Sequence, residues 1–354
     1  MRHLGMSGSG KESHTRMIGV GRLALVVIAA LALALIGAAS AMAEEEPELS
    51  KKMRTKIFGD CPSHNPEAVK IDEEYYEGGS EEIICFTGIT SGGKEGGHFT
   101  VGAVTVPLSK KITLHGAAAF IFEGNGGEGK IHAAEDGKTL EAPPLAIPKG
   151  AKLITPQIME EAEWPESLKQ IYNEKKAKKE LGLSATIEVA GGNQIYENRD
   201  GLSTENLLFE EGTAFILPLK VKVSGPLLYK LQKGADTCTI GTDEHPVVQH
   251  LTTGESVAPP PYEANTQHGS SGELNFSSEF RVIEITNNTL VDSTWPVEIG
   301  AEGCGGSYES YVNKAMDILL KLPSPAGAST TELKGNLYSG NFLAVKQSKE
   351  RHGE

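Results

Sequence analysis

The densest group of side chains that could bind a metal or move a proton lies around His245 and His250. Asp243 and Glu244 precede the first histidine, so imidazole and carboxylate groups occur close together. Such groups bind zinc and act as general acids or bases. The two histidines are five positions apart, however, and residues at that spacing on a strand point to opposite faces. The spacing therefore favours surface histidines, and neither a metal nor a cofactor is predicted.

Other short motifs give weaker signals. Gly254-Glu-Ser256-Val-Ala has part of the serine-hydrolase elbow but lacks its last glycine. Residues 124–129 match G-x-G-x-x-G, but the segment 130–134 is too short for the helix that a dinucleotide site requires, so a glycine-rich hairpin turn is predicted. Two carboxylates for glycoside hydrolysis leave no sequence signature. No catalytic residue is predicted. Other histidines, among them His98, His115, His132 and His268, are scattered along the chain.

The chain has two tryptophans, Trp164 and Trp295. Sugar-binding faces use exposed aromatic rings, and either indole is a possible platform. Trp295 lies shortly before Cys304, which favours a core residue packed near a disulfide over a ligand platform.

Four cysteines are present: Cys61, Cys85, Cys238 and Cys304. An even number in an exported chain indicates two disulfides, with three possible connectivities. Cys61–Cys85 with Cys238–Cys304 is preferred because each pair lies within one β-rich half. A zinc site built from all four thiolates is the alternative. Zinc ribbons use C-x2-C pairs, however, and the nearest two cysteines here are 24 positions apart.

The N-terminal segment has the order of a secretory signal peptide. Basic residues precede the apolar run 23–36, and Ala41-Met42-Ala43 forms an A-x-A cleavage site before an acidic stretch. We therefore predict a signal peptide at residues 1–43 and a secreted or cell-envelope location. The alternative is an uncleaved anchor at residues 23–43, which is long enough to span a bilayer.

The formal net charge is −14 and the isoelectric point is about 5.3. An acidic chain does not offer the basic surface that nucleic acid requires, so nucleic-acid binding is excluded. Anionic lipid surfaces are disfavoured for the same reason, and no membrane contact is predicted beyond the leader. The sequence names no partner.

The elements that would position any site are mostly strands, organised around residues 211–255. Alternation places one apolar set on a single face: Phe215, Leu217, Leu219, Val221 and Val223. Lys220 and Lys222 point the other way, as in a strand with one buried and one wet face. Pro218 within the run indicates an edge strand or a bulge.

Further strands are predicted at residues 81–89, 98–108, 111–115, 185–190, 280–286, 289–291 and 332–338, with hairpin arms at 117–123 and 130–134. A charged helix at residues 157–181 is predicted to be an insertion on the surface. A second helix at residues 307–322 carries apolar residues at a spacing of three to four.

These elements predict a mainly β fold: an antiparallel β-sandwich-like domain with one charged helical insertion and a short C-terminal helix. The domain is expected to span residues 61–345, with possible halves at 61–156 and 183–345. Residues 44–60 are predicted to be flexible, and residues 346–354 to form a disordered tail.

Several phrases occur together in the chain: Cys61-Pro62, the run from Thr87 through Pro107-Leu108, Cys238-Thr-Ile-Gly241, Leu251-Thr-Thr-Gly254 with Pro259–Pro261, the Asn288-Thr-Leu-Val-Asp292 run, Gly303-Cys304-Gly305 and the Leu322-Pro-Ser-Pro-Ala-Gly327 run. Together they resemble a group of secreted bacterial β-rich proteins without an assigned activity. The resemblance covers Cys61 to about Tyr338, with residues 157–181 as an insert. It implies an exported, disulfide-bonded protein and carries no catalytic residue.

We therefore expect an exported, non-enzymatic protein with a binding or structural role at the cell envelope or outside the cell. The alternative is a secreted hydrolase that acts on a polysaccharide or an ester. A concave pocket with convergent carboxylates would favour the hydrolase, whereas flat, solvated sheet faces would favour binding.

Overall fold

The structure is a computed structural model that describes residues 49–79, 81–121, 128–135, 139–191, 202–209, 212–234, 237–276 and 282–353. Residues 48–354 form one compact unit. The predicted leader 1–43, the alternative anchor 23–43 and most of the predicted glycine turn at 124–129 lie outside the described residues.

The strands of the described residues are β1 (Glu81–Thr90), β2 (Gly97–Val101), β3 (Val104–Pro107), β4 (Thr113–Ile121), β5 (Glu128–Ala133), β6 (Leu140–Glu141), β7 (Leu145–Ile147), β8 (Leu183–Val189), β9 (Leu202–Ser203), β10 (Thr213–Ser224), β11 (Thr239–Ile240), β12 (Val247–Thr252), β13 (Glu255–Ser256), β14 (Gln267–His268), β15 (Glu273–Phe276), β16 (Val282–Asp292), β17 (Ala301–Glu302) and β18 (Thr330–Asn341).

The α-helices of the described residues are α1 (Pro66–Tyr76), α2 (Pro156–Glu161), α3 (Glu166–Ala177), α4 (Thr204–Phe209), α5 (Pro226–Leu231), α6 (Glu309–Leu320) and α7 (Phe342–His352). A π-helical segment covers Met53–Ile57, and short 3₁₀ turns lie at Gly93–Glu95, Gly150–Leu153, Glu263–Asn265 and Gly306–Tyr308.

All the described strands except β13 and β14 join one antiparallel sheet, which curls on itself. Its hydrogen-bonded path runs β16–β12–β10–β9–β5–β4–β1–β18. Because β18 also pairs with β16 along most of its length, the path returns to its start. The curled sheet has an inner and an outer face, and the predicted mainly β, antiparallel fold class is confirmed.

The inner face carries the main core. Phe215 on β10 is buried, and its ring centroid lies 6.4 Å from that of Phe86 on β1. Leu217, Leu219 and Val223 are also buried and Val221 is partly buried, while Lys220 and Lys222 on the other face are partly accessible. The predicted buried face of β10 is therefore confirmed for four of its five apolar residues. Pro218 lies in a strand that is paired on both sides, and the register shift of β10 is between Thr213 and Phe215. The prediction of an edge or bulge at Pro218 was wrong.

A second, smaller core covers part of the outer face, and we call the layer that forms it, residues 49–76 with α7, the cap. The segment before α1 contributes Leu49, Met53, Ile57 and Phe58, all buried against the sheet. Helix α7 adds Phe342 and Val345, which are fully buried. Residues 49–60 pack on the sheet and residues 346–352 continue helix α7, so the predictions of a flexible start and a disordered tail were wrong for them. The apolar residues Leu49, Met53 and Ile57 recur at helical spacing among charged ones, which hides the pattern, and residues 346–352 contain no apolar residue that would indicate a helix.

The charged insertion is two helices and not one. Helices α2 and α3 are separated by a break that contains Glu163, with φ of +58°, and Pro165. Trp164 between them is buried and donates its Nε1–H to the carbonyl of Tyr311 on α6 at 3.0 Å. Leu168 and Tyr172 of α3 are also buried. The segment therefore packs into the main core, and the prediction that it lies on the surface was wrong.

Two predicted strand boundaries are corrected by backbone geometry. The predicted strand 98–108 is a hairpin of β2 and β3, which turns at Gly102. Gly102 has a φ of +53°, and a Cβ there would lie 1.9 Å from the carbonyl oxygen of Leu320. The separately predicted strands 111–115 and 117–123 are parts of one strand, β4, which pairs with β5 as the predicted hairpin.

The predicted strands 280–286 and 289–291 also form one strand, β16, with residues 280–281 outside the described part. A register shift between Ile285 and Asn288 interrupts the pairing, and Asn287 there has a φ of +56°. Helix α6 confirms the predicted helix, because its apolar side chains Val312, Ala315, Met316 and Leu320 are buried.

Cys61 is bonded to Cys85, with a Cα–Cα distance of 5.6 Å. Cys238 is bonded to Cys304, at 4.1 Å. This is the pairing preferred from the sequence, and it excludes the four-thiolate zinc site because no thiolate is left. Disulfides of this kind are typical of an oxidising compartment. Within the part of the chain that the structure describes, no helix is long and apolar enough to cross a membrane.

Candidate functional site

The group around His245 and His250 does not converge. The carboxylate of Asp243 accepts from Lys220 Nζ at 2.8 Å and from the Gly191 N–H at 2.7 Å, and these bonds lower its pKa. The side chains of His245 and His250 are exposed. No group of three or more metal-ligating side chains that could hold an ion occurs among the described residues.

The other motif residues have structural contacts. Ser256 is buried and hydrogen-bonds to Ser293 Oγ at 3.1 Å, so it cannot reach an external ester. Trp164 and Trp295 are buried in the main core cluster, which places neither of them on a ligand-binding surface. His98, His115 and His268 lie on β2, β4 and β14, and His132 is buried on β5.

A polar cluster lies beside the Cys61–Cys85 disulfide, and we call it the clasp: Asp60, His64, His115, Glu135 and Lys349. Lys349 is buried on α7, and its ammonium has three acceptors. It donates to the carbonyl oxygens of Gly59 at 3.0 Å and Cys61 at 3.2 Å, and to Glu135 Oε2 at 3.0 Å. The clasp therefore ties the last helix to the disulfide loop.

Glu135 is the centre of the clasp. Its Oε1 accepts from the backbone N–H of His64 and lies 2.8 Å from His64 Nδ1. Burial alone would raise the pKa of Glu135, but the hydrogen bonds from His64 and Lys349 hold the pKa below its ordinary value. A carboxylate that stays ionised between a lysine and a histidine is an anchor for both.

His115 extends the clasp across the sheet. It is buried on β4, with Nε2 at 3.7 Å from Asp60 Oδ2 and 3.9 Å from Glu141 Oε2. Both distances are longer than a hydrogen bond. Thr87, opposite it on β1, donates its hydroxyl to the carbonyl of Ile57 at 2.5 Å.

A histidine oriented by a carboxylate is also half of a catalytic triad, and the His64–Glu135 pair has a hydroxyl beside it. That hydroxyl is Ser63 Oγ, which lies 3.4 Å from His64 Nδ1. Ser63 is fully buried, and its oxygen approaches the same ring nitrogen that faces Glu135. Because a nucleophile must be accessible to substrate and face the base, this geometry favours a structural role.

A pair of carboxylates with raised pKa values lies where α1 of the cap meets β1. Asp72 on α1 is buried, and burial raises its pKa to about 6, although Lys346 opposes the shift. Burial also raises the pKa of Glu82 at the start of β1, and the charge of Asp72 adds to that effect.

Beyond the cap, the outer face of the sheet is polar and partly accessible. We call this surface the open face: His98 and Thr100 on β2, and Glu332, Lys334, Asn336 and Tyr338 on β18. Pairing of β2 with β18 places these residues on one face. Lys334 Nζ lies 2.9 Å from Glu332 Oε1, and Asn336 Nδ2 donates to the Tyr338 hydroxyl at 3.4 Å. Burial raises the pKa of Tyr338, which is half-buried at the edge of the cap.

A shallow polar cleft of about 510 Å³ lies beside the Cys238–Cys304 disulfide. Glu309, Asn313 and Asp317 line it from one side of α6, because they are spaced four apart. Each accepts a hydrogen bond from the backbone of residues 301–304, such as the 2.7 Å bond from the Ala301 N–H to Asp317. Burial raises the pKa of Asp317. These side chains hold the disulfide loop on the helix.

The clasp was not predicted from the sequence. His64 and Glu135 are 71 positions apart, and Glu135 and Lys349 are 214 apart, so no local spacing marks them. Of the predicted site residues, the structure brings together the four cysteines in their two pairs. The fold and these sites define a mainly β, disulfide-bonded domain.

The chain matches no protein-family model, no curated protein and no solved structure. The resemblance to secreted bacterial proteins therefore stays a prediction.

Proposed function

We propose that the chain is an exported, non-enzymatic protein with a binding or structural role at the cell envelope or outside the cell. The observation that carries this proposal is the open face, a solvated sheet surface of hydroxyl, amide, imidazole and charged groups. Such a surface offers many hydrogen-bonding groups without enclosing a ligand. An open polar surface suits a large ligand, because enclosed pockets are the usual sites for small ones.

Two further features support the proposal. Both disulfides are buried, so the domain is cross-linked for an oxidising environment. In the clasp and in the cleft beside α6, carboxylates, a lysine and a histidine form hydrogen bonds that join loops to helices. The predicted signal peptide at residues 1–43 would supply the route of export.

A secreted hydrolase is the second candidate, and one observation favours it. The pKa of Asp72 is raised to about 6 beside Glu82, and two carboxyl groups with shifted pKa values are the chemistry of glycoside hydrolysis. Asp72 is buried, however, so a substrate would reach it only after the cap moves.

Purified, oxidised protein can distinguish the two functions in one experiment. It is incubated with insoluble cell-envelope material, and both retention and release of reducing sugars or acids are measured. We expect retention without release, and lower retention in the double variant Lys334→Ala/Asn336→Ala. Lys111→Ala, which removes an exposed lysine elsewhere, should leave retention unchanged.

Release of product that is lost in Asp72→Asn would establish the hydrolase instead. No retention and no release would overturn both proposals. The intact mass of the exported protein tests the route, since cleavage after Ala43 would give a chain that begins at Glu44.

A further inference from the structure

Strand β15 is an edge strand with an unusual surface. It pairs with β16 on one side, and no described strand pairs with its other edge. All four of its residues are exposed. Leu274 is 45% exposed and Phe276 is 56% exposed, and they are two of the five large apolar side chains that are exposed in the described part of the chain. Natural proteins normally protect such an edge, because its unpaired backbone groups can bind another strand.

The opposite end of the sheet path shows that protection. Strand β3 ends that path and is four residues long, as β15 is. Pro107 closes it, and its apolar residues Val104 and Val106 are buried. Proline removes a backbone donor, so it blocks addition of a strand. Strand β15 has neither a proline nor buried apolar residues.

The two faces of β15 differ in chemistry. Leu274 lies opposite Ile285, and Phe276 lies opposite Ile283, so one face is apolar and continues into the core. On the other face, Glu273 lies opposite Thr286 and Asn275 lies opposite Glu284. An added strand would therefore meet apolar side chains on one face and the carboxylate of Glu273 on the other, with a second carboxylate, Glu284, one strand further away.

The start of β15 is fixed in place. Asn288, which is buried on β16, donates its side-chain amide to the carbonyls of Ser270 at 3.1 Å and Ser271 at 3.3 Å. Gly272 has a φ of +76°, and a Cβ there would lie 2.3 Å from the carbonyl of Thr286. A strand that is already ordered loses less conformational entropy when it binds.

We propose that β15 binds an extended peptide segment of a partner protein by antiparallel or parallel strand addition, and that this segment alternates apolar and basic residues. The apolar residues would pack on Leu274 and Phe276, and the basic residues would lie beside Glu273, with Glu284 one strand further away on the same face. The net charge of −14 favours a basic partner and opposes pairing with a second copy of the same acidic chain. This inference rests on the proposed binding function, and it assigns a peptide partner to β15, a surface other than the open face.

The test uses fluorescence anisotropy with the oxidised full domain and three labelled ten-residue peptides. One alternates valine and lysine, the second alternates valine and glutamate, and the third is the lysine peptide with N-methyl groups on all its amides, so that neither edge can donate. We expect the lysine peptide to bind, the glutamate peptide to bind at least about 10-fold more weakly, and the N-methylated peptide to lose binding because its backbone donors are blocked.

Two variants locate the surface. Phe276→Ser should weaken binding of the lysine peptide by about 10-fold or more, since it removes a large apolar contact. Tyr229→Ser removes an aromatic ring that is 64% exposed elsewhere, and it should leave binding unchanged. If Phe276→Ser lowers the melting temperature, its loss of binding is not used. The proposal is then tested only by comparing the lysine peptide with its N-methylated form on the unmodified protein.

Three results would overturn the proposal: no binding of the lysine peptide, equal binding of its N-methylated form, or an equal loss in Tyr229→Ser. A dimer in sedimentation velocity that Phe276→Ser abolishes would instead identify a second copy as the occupant. Retention by envelope material without peptide binding would reject β15 as a site and leave the proposed function standing.

Discussion

Asp72 shows how one buried carboxyl group makes stability depend on pH. Its folded-state pKa of about 6 is above the ordinary value of 3.8, because burial disfavours the charged form. The contribution of Asp72 to stability is therefore fully present below pH 3.8. It is lost as the pH rises through about 6, where the folded state must ionise a buried group.

We expect Asp72→Asn to stabilise the fold above pH 6 and to have little effect near pH 3.8. By linkage, a shift of this size corresponds to a change of at most about 3 kcal/mol across that range. Urea unfolding at several pH values between 4 and 8 measures it, with Glu95→Gln, which changes an exposed carboxylate elsewhere, as the control. A stability difference from the unmodified protein that does not vary with pH would contradict the assignment.

Lys349 is the residue on which the clasp depends. Its ammonium is buried with two carbonyl oxygens and the Glu135 carboxylate, so its removal leaves a partly buried charge without its main partner. We expect Lys349→Met to reduce the free energy of unfolding by about 3 kcal/mol. The double variant with Glu135→Gln should recover part of this loss, because it also removes the unpaired charge. Additive losses in a double-mutant cycle would show that the two groups do not interact.

At the scale of elements, helix α7 and the segment before α1 carry a layer that the sequence did not suggest. Strands such as β10 were predictable because their alternation is local and strong. Helix α7 is mostly polar. Its apolar residues Phe342 and Val345 pack against the sheet, and this contact cannot be recognised from the sequence of the helix alone. The clasp joins residues far apart in sequence, so no local pattern marked it. Strand boundaries such as those at Gly102 and Asn287 depended on single backbone conformations.

The cap makes a direct prediction about α7. Phe342 is fully buried between the outer face and the first segment, so Phe342→Ala would leave a cavity that this small core cannot fill. We expect a loss of about 3–5 kcal/mol in the free energy of unfolding. Arg351 lies at an exposed position on the same helix, so Arg351→Ala should change the free energy of unfolding by less than about 0.5 kcal/mol. Equal, small effects in both variants, measured by urea unfolding, would show that α7 is not packed on the sheet.

At the scale of the whole molecule, the two disulfides cross-link different parts of one curled sheet. Cys61–Cys85 fixes the first segment to β1 on the outer face, and its two cysteines are 24 positions apart. Cys238–Cys304 joins residues 66 positions apart beside α6, in the main core cluster. Each half predicted from the sequence thus contains one bridge, but the hydrogen-bonded sheet passes through both halves.

The difference in loop length predicts which bridge matters more. In the chain-entropy description, loops of 24 and 66 residues restrict the unfolded chain by roughly 3.5 and 4.4 kcal/mol. We expect Cys238→Ser/Cys304→Ser to lower the free energy of unfolding more than Cys61→Ser/Cys85→Ser, by about 1 kcal/mol. Urea unfolding of the two double variants measures this, after alkylation has confirmed that the unmodified protein has no free thiol. A larger loss from the shorter loop would show that the first bridge stabilises the cap directly, through Cys61 and the carbonyl that it presents to Lys349.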